Sequence, residues 1–244
     1  MPRREVLIVE HVSKSFGGIR ALVDVSFKLY EGESIAIIGP NGAGKTTLFN
    51  VINGIYQPDS GRIVFEGVDI TRLPPHKRAQ MGLSRAFQIP RPFPYLTVFD
   101  NVMVSALFSP KKLGVDQART EALSTLELVG LIRKKDELAA NLTAPEKKLL
   151  ELARALAKQP KVLLLDEIVA GMPPAEVDRI MKLVKEVADR KGISSVAFVE
   201  HVIRAVQHVD RVLFLYQGRI LVEGPPREVL ANELVRRVYL GEVV

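Results

Sequence analysis

With 244 residues, 47% of them apolar and 25% charged, the chain has the composition of a folded globular protein and enough length to bury a core. No apolar run approaches the roughly 20 residues that a membrane-spanning helix needs, so a role at a bilayer would require another chain to cross it. The lack of cysteine excludes disulfides and thiolate metal sites, and the net charge of +6 comes from scattered Lys and Arg without the interleaved aromatics of a nucleic-acid groove.

Residues 1–9 carry arginines and a short apolar strand, with neither a signal-peptide core nor a cleavage site, so no leader is expected. Val25, Phe27 and Leu29 alternate with Ser26 and Lys28, the period of a half-buried strand. Residues 34–38 form a short apolar strand running into glycine, and residues 62–65 another, closed by Glu66-Gly67. Three prolines between Ile89 and Pro94 predict an extended loop. Helices are predicted over 98–107 and over 117–129, the second stopped by Gly130. A third helix places Leu149, Leu152, Ala153 and Leu156 on one face. The continuous apolar run 162–165 predicts a buried parallel strand. A helix from about Pro174 aligns Val177, Ile180, Met181, Val184 and Val187, and residues 196–199 form the next strand. Residues 211–216 and 219–222 flank Gln217-Gly218 as a hairpin, and a last helix follows Pro226. Such alternation predicts an α/β fold whose parallel sheet is covered on both faces.

Two segments carry chemistry. Gly39-Pro40-Asn41-Gly42-Ala43-Gly44-Lys45-Thr46, followed by Thr47, matches the G-x-x-x-x-G-K-[ST] P-loop between a strand and an apolar helix. Glycines there let successive backbone N–H groups face phosphate oxygens, and the helix N-terminus adds partial positive charge. Lys45 supplies a mobile cation for the β- and γ-phosphates, and Thr46 a hydroxyl for Mg²⁺. Further on, Val162-Leu-Leu-Leu165-Asp166-Glu167 ends an apolar strand in two carboxylates. Asp166 suits Mg²⁺ held through water, and Glu167 suits activation of the attacking water. The plainer alternative is that Asp-Glu caps the next helix.

Together these motifs resemble the ABC ATPase family almost end to end. The resemblance implies a P-loop NTPase core with an N-terminal antiparallel β-lobe and a helical subdomain. One nucleotide-binding domain then covers residues 1–244, with 1–88 and 159–244 as the catalytic core and 89–158 as the helical subdomain. It places Phe16, in Lys14-Ser-Phe-Gly-Gly18, where the family stacks an aromatic on adenine, a core phenylalanine being the alternative. Gln88, in Arg85-Ala-Phe-Gln88, matches the glutamine that senses Mg²⁺ and the γ-phosphate beside the transmembrane partner. His201, after Glu200, matches the histidine that contacts the γ-phosphate.

Finer features, among them Ser84-Arg-Ala-Phe-Gln88, Leu96-Thr-Val-Phe-Asp-Asn101, Ala170-Gly-Met-Pro-Pro174 and Val238-Tyr-Leu-Gly-Glu242, resemble the branched-chain amino acid importers. That likeness implies an ATP- and Mg²⁺-dependent ATPase at the cytoplasmic face of the cell membrane. Its partners would be permease subunits, a second ATPase subunit in a homo- or heterodimer and, indirectly, a solute-binding protein. Relatives that import urea or export lipopolysaccharide share much of this pattern. Soluble ABC ATPases of DNA or the ribosome form a rival class, but they usually carry two cassettes or long inserted arms.

One motif departs from the family. Where Leu-Ser-Gly-Gly-Gln is expected, the chain reads Leu142-Thr143-Ala144-Pro145-Glu146. Pro145 has no N–H, and Glu146 brings negative charge to a helix end that the family presents to the γ-phosphate of the other subunit's ATP. Thr143 as N-cap with Glu146 three residues on reads as a capping box. The expectation is a supported helix with a weakened phosphate-binding end, and therefore either a heterodimer with unequal sites or a nonhydrolytic nucleotide switch. Pro173 also stands where the family commonly has Asn or Asp.

Overall fold

A computed structural model describes residues 3–200 and 202–240. In chain order the elements are β1 (Glu5–Phe16), β2 (Ile19–Tyr30), β3 (Glu33–Ile38), α1 (Lys45–Ile52), β4 (Ser60–Phe65), β5 (Val68–Asp69), α2 (Pro75–Met81) and β6 (Leu83–Ala86). Then come α3 (Val98–Leu107), α4 (Val115–Leu128), α5 (Ala144–Ala157), β7 (Val162–Asp166), α6 (Pro174–Lys191) and β8 (Ser195–Val199). The last elements are α7 (Ile203–Val206), β9 (Arg211–Tyr216), β10 (Arg219–Gly224), α8 (Pro226–Ala231) and α9 (Glu233–Val235). They divide into two compact units, Met1–Arg78 with Ser194–Val244, and Ala79–Ile193.

The first unit holds an antiparallel sheet in the order β2-β1-β4-β5, beside strands ordered β10-β9-β3-β8. β3 runs parallel to both its neighbours, with Ile35 opposite Ala197 on one side and Arg211 on the other. Ile35, Ile37 and Ile38 are fully buried, each worth about 1.5–3 kcal/mol relative to exposure. That burial pins the strand whose carboxyl end feeds the glycine-rich loop. The β9–β10 hairpin turns at Gln217 and Gly218, both in left-handed backbone, as its sequence predicts.

The second unit holds the parallel pair β6–β7 and helices α3–α6. α3, α4 and α5 pack on one another through small and branched side chains, among them Val102, Ala106, Ala118, Ala122, Leu150 and Ala153. Leu149, expected on the buried face of α5, is half-buried, and Leu150 takes the core position. Thr97 caps α3 by accepting the Asp100 N–H at 3.0 Å. Asn101, fully buried, accepts the Phe93 N–H at 2.8 Å and donates to the Phe93 carbonyl at 3.0 Å. It thereby holds the proline-rich loop to α3, so that loop is extended without being loose.

Candidate functional site

In the first unit the chain leaves β3 through Gly39 (φ 153°), Gly42 (φ 79°) and Gly44 (φ 107°), a run that L side chains rarely adopt. Close approach makes two of them obligatory. A Cβ on Gly39 would lie 2.0 Å from the Leu215 carbonyl oxygen, and one on Gly44 would lie 2.4 Å from that of Ala21. The Gly218 N–H donates to the Ala43 carbonyl at 3.0 Å, so the β9–β10 turn also braces the loop. Lys45, first residue of α1, reaches back with Nζ 2.6 Å from the Gly39 carbonyl and 3.0 Å from that of Pro40. Thr46 beside it is exposed and Thr47 half-buried. A glycine loop with an inward lysine and a free-facing threonine at a helix start fits a triphosphate and its Mg²⁺.

The far end of α1 is also tied. Arg78 is completely buried and donates to the carbonyls of Val51, Ile52, Thr71 and Leu73 at 2.7–2.9 Å. Burial pulls its pKa down to about 10, which still leaves it charged at neutral pH against the carbonyl end of the helix. Phe16 is 41% exposed and meets Tyr56 edge-on at 5.1 Å, so the core reading of Phe16 falls. Strand β1 ends at Phe16 next to a Gly-Gly turn. Nothing in the sequence around Tyr56 singles it out.

In the second unit, Asp166 closes β7. Arg85 on β6 lies opposite Leu164, two residues before Asp166 and therefore on the same sheet face. Its guanidinium meets the Asp166 carboxylate at 2.5 Å, with each side chain only 2% exposed. Glu167 follows with left-handed backbone, φ 49°, and its carboxylate accepts a hydrogen bond from Gln88 Nε2 at 2.5 Å. Three of the predicted residues, Gln88, Asp166 and Glu167, are thus brought together around the ends of two neighbouring strands. In the sequence Arg85 stands out only as part of the motif that ends at Gln88. The signal was there, since an arginine inside the buried run Leu83–Ala86 demands a counter-charge. His201 lies outside the described residues.

At the start of α5 the divergent motif satisfies itself. The Thr143 N–H and hydroxyl both donate to one oxygen of Glu146, at 2.9 and 2.8 Å, and Lys134 holds the other at 2.9 Å. The Thr143 N–H first, then Lys134 and the Thr143 hydroxyl, pull the Glu146 carboxyl down to about 2. A carboxyl depressed in the folded state stabilises above its ordinary value of 4.5, and that contribution fades as pH falls toward 2. Denaturant midpoints of wild type and Glu146→Gln should therefore differ at about pH 6 and converge only as the pH falls to about 2 and below. A gap that stays constant with pH would count against this cap.

The fold and its glycine cradle define a P-loop nucleotide-binding protein. The sequence profile of the ABC transporter family matches residues 22–170, more than half of the chain. A second profile, the branched-chain amino acid ATP-binding cassette transporter, matches residues 219–244. The lipopolysaccharide export ATP-binding protein LptB of Haemophilus influenzae is 37% identical over 97% of this chain and 98% of its own. The branched-chain amino acid transport ATP-binding protein LivG of Salmonella typhimurium is 36% identical over the same shares. The crystal structure of the ADP conformation of MJ1267, an ATP-binding cassette of an ABC transporter, superposes with a TM-score of 0.85 at 32% identity, over 98% of this chain and 100% of that one. A dimeric post-hydrolysis cassette, MJ0796 with ADP and phosphate, superposes with a TM-score of 0.81 at 26% identity, over 91% and 99%.

This chain belongs to the ABC transporter family, as an ATP-binding, ATP-hydrolysing subunit. Among the described residues no helix is long and apolar enough to cross a membrane.

Proposed function

We propose that the chain powers the import of branched-chain amino acids from the cytoplasmic face of the membrane, with the Gly39–Thr47 cradle taking the phosphates of ATP. The glycine conformations around inward-turned Lys45 carry the nucleotide reading, and the 219–244 match supports the substrate class. Similarity to the export protein LptB is as high as to LivG, so the substrate rests on that carboxyl-terminal match. In this reading Phe16 stacks on adenine, Thr46 and Asp166 hold Mg²⁺ with Gln88, and His201 contacts the γ-phosphate. When bound, the metal would neutralise phosphate charge, while Glu167 orients the attacking water and accepts its proton.

The segment 89–158 serves as the helical subdomain. It begins with exposed apolar side chains at Ile89, Phe93, Tyr95 and Leu96, surface of the kind that docks on a permease. A solute-binding protein would deliver substrate on the other side of the membrane. Since MJ0796 is a dimer in its ADP-bound form, this chain is read as half of a dimer. Its self-satisfied Thr143–Glu146 end favours a different ATPase as partner, because a second copy would meet a carboxylate where phosphate should sit.

Lys45→Ala tests the core of this reading. Removing the ammonium should weaken MgATP binding by about 10- to 100-fold, the worth of charge-assisted hydrogen bonds of about 1.5–3 kcal/mol. Unchanged affinity would overturn the cradle. In a complex with the partner ATPase, this mutation should cost far more turnover than its counterpart in the partner, and equal losses would refute asymmetry. Transport assays with the permeases should show uptake of leucine, isoleucine or valine, whereas outward movement of lipopolysaccharide would replace the import reading.

A further inference from the structure

Glu167 is the proposed general base, yet its backbone sits where a side-chain-bearing residue is disfavoured by about 1–2 kcal/mol. Something must hold it there. On the side-chain end, Gln88 donates to its carboxylate. On the backbone end, the Ala170 N–H donates to the Glu167 carbonyl at 3.3 Å. Lys148, one turn into α5, spans the same turn from outside. Its Nζ lies 2.6 Å from the Ala170 carbonyl and 3.4 Å from that of Glu167. The ammonium thus grips both ends of the four-residue turn whose first member carries the carboxylate.

We infer that Lys148 is a positioning residue for hydrolysis, a strut from the first turns of α5 that keeps Glu167 in its left-handed conformation. This rests on the reading of Glu167 as the base. The direction of its Cα–Cβ bond follows φ, so relaxation to negative φ would swing the carboxylate away from its present line. Asp166, one residue earlier, is anchored by Arg85. Lys148 also shares α5 with Thr143 and Glu146, so a displacement of that helix end reaches the base of the same chain through a single side chain.

The bland alternative is a lysine that merely caps carbonyls, and it would change stability alone. The discriminating set is Lys148→Met, Lys148→Arg and Glu167→Gln in the full chain, read by phosphate release, MgATP binding and hydrogen exchange of the 167–171 amides. Lys148→Met should lower kcat by about tenfold or more while KM and ATP affinity hold, because misplacement of a catalytic group costs rate rather than binding. Amide exchange in that turn should accelerate with no change in α6, and Lys148→Arg should restore both. Unaltered exchange, or a kcat that does not fall, overturns the inference. If Glu167→Gln retains turnover, the base assignment fails instead. If Glu167→Gln abolishes turnover and Lys148→Met is silent, only the strut fails.

Discussion

Glu167→Gln is expected to lower steady-state phosphate release by about 10²- to 10⁴-fold while leaving MgATP binding within a small factor of wild type. The substitution is nearly isosteric, and its carbonyl oxygen still accepts from Gln88, so the arrangement around the turn persists. What vanishes is the anion that takes a proton from water. The cradle of Gly39, Gly44 and Lys45 is built from other segments, close against Ala21 and Leu215 and braced by Gly218. Phosphate release and equilibrium binding of ATP, measured on the same preparation, separate the two roles. Wild-type turnover in the variant would remove Glu167 from proton transfer.

A second large effect is expected at Arg85. Its ion pair with Asp166 is shut away from water on both sides, so deleting only the cation takes a charged partner from a buried carboxylate. Loss of one member of such a pair costs about 3–5 kcal/mol, whereas replacing both by apolar residues of similar volume is often neutral. Arg85→Met should accordingly lower the urea midpoint severely. Arg85→Met combined with Asp166→Leu should recover much of it, and the double-mutant cycle gives the coupling. The double variant should still be unable to turn over, since Asp166 is the proposed metal-holding group. A loss below about 1 kcal/mol in the single variant would mean that water reaches Asp166 after all. Phe87 extends this arrangement, with its ring centroid 4.7 Å from the Arg85 guanidinium carbon.

The elements whose causes lie within a few residues were legible from the chain alone. The period of α3 over 98–107, the apolar run of β7, the Gln217-Gly218 hairpin and the glycine spacing of the cradle all express backbone φ limits and local burial patterns. So does the Thr143–Glu146 cap, which spans three residues. Chemistry followed from spacing in the same way, because a cradle made of consecutive amides is a local object.

Side-chain pairing across distant segments was decided only by the tertiary structure. Arg85 meets Asp166, 81 positions later, because parallel pairing sets Arg85 opposite Leu164; a shift of one residue would send the guanidinium to the other face. Lys148 reaches Ala170, 22 positions on, because the start of α5 lies beside the turn that follows β7. Phe16 was undecided in sequence, since an aromatic at a strand end reads alike whether or not a layer covers it. Local geometry is written into neighbouring φ angles and hydrophobic period, while the company a charged side chain keeps depends on strand register and helix packing, which no short stretch of sequence contains.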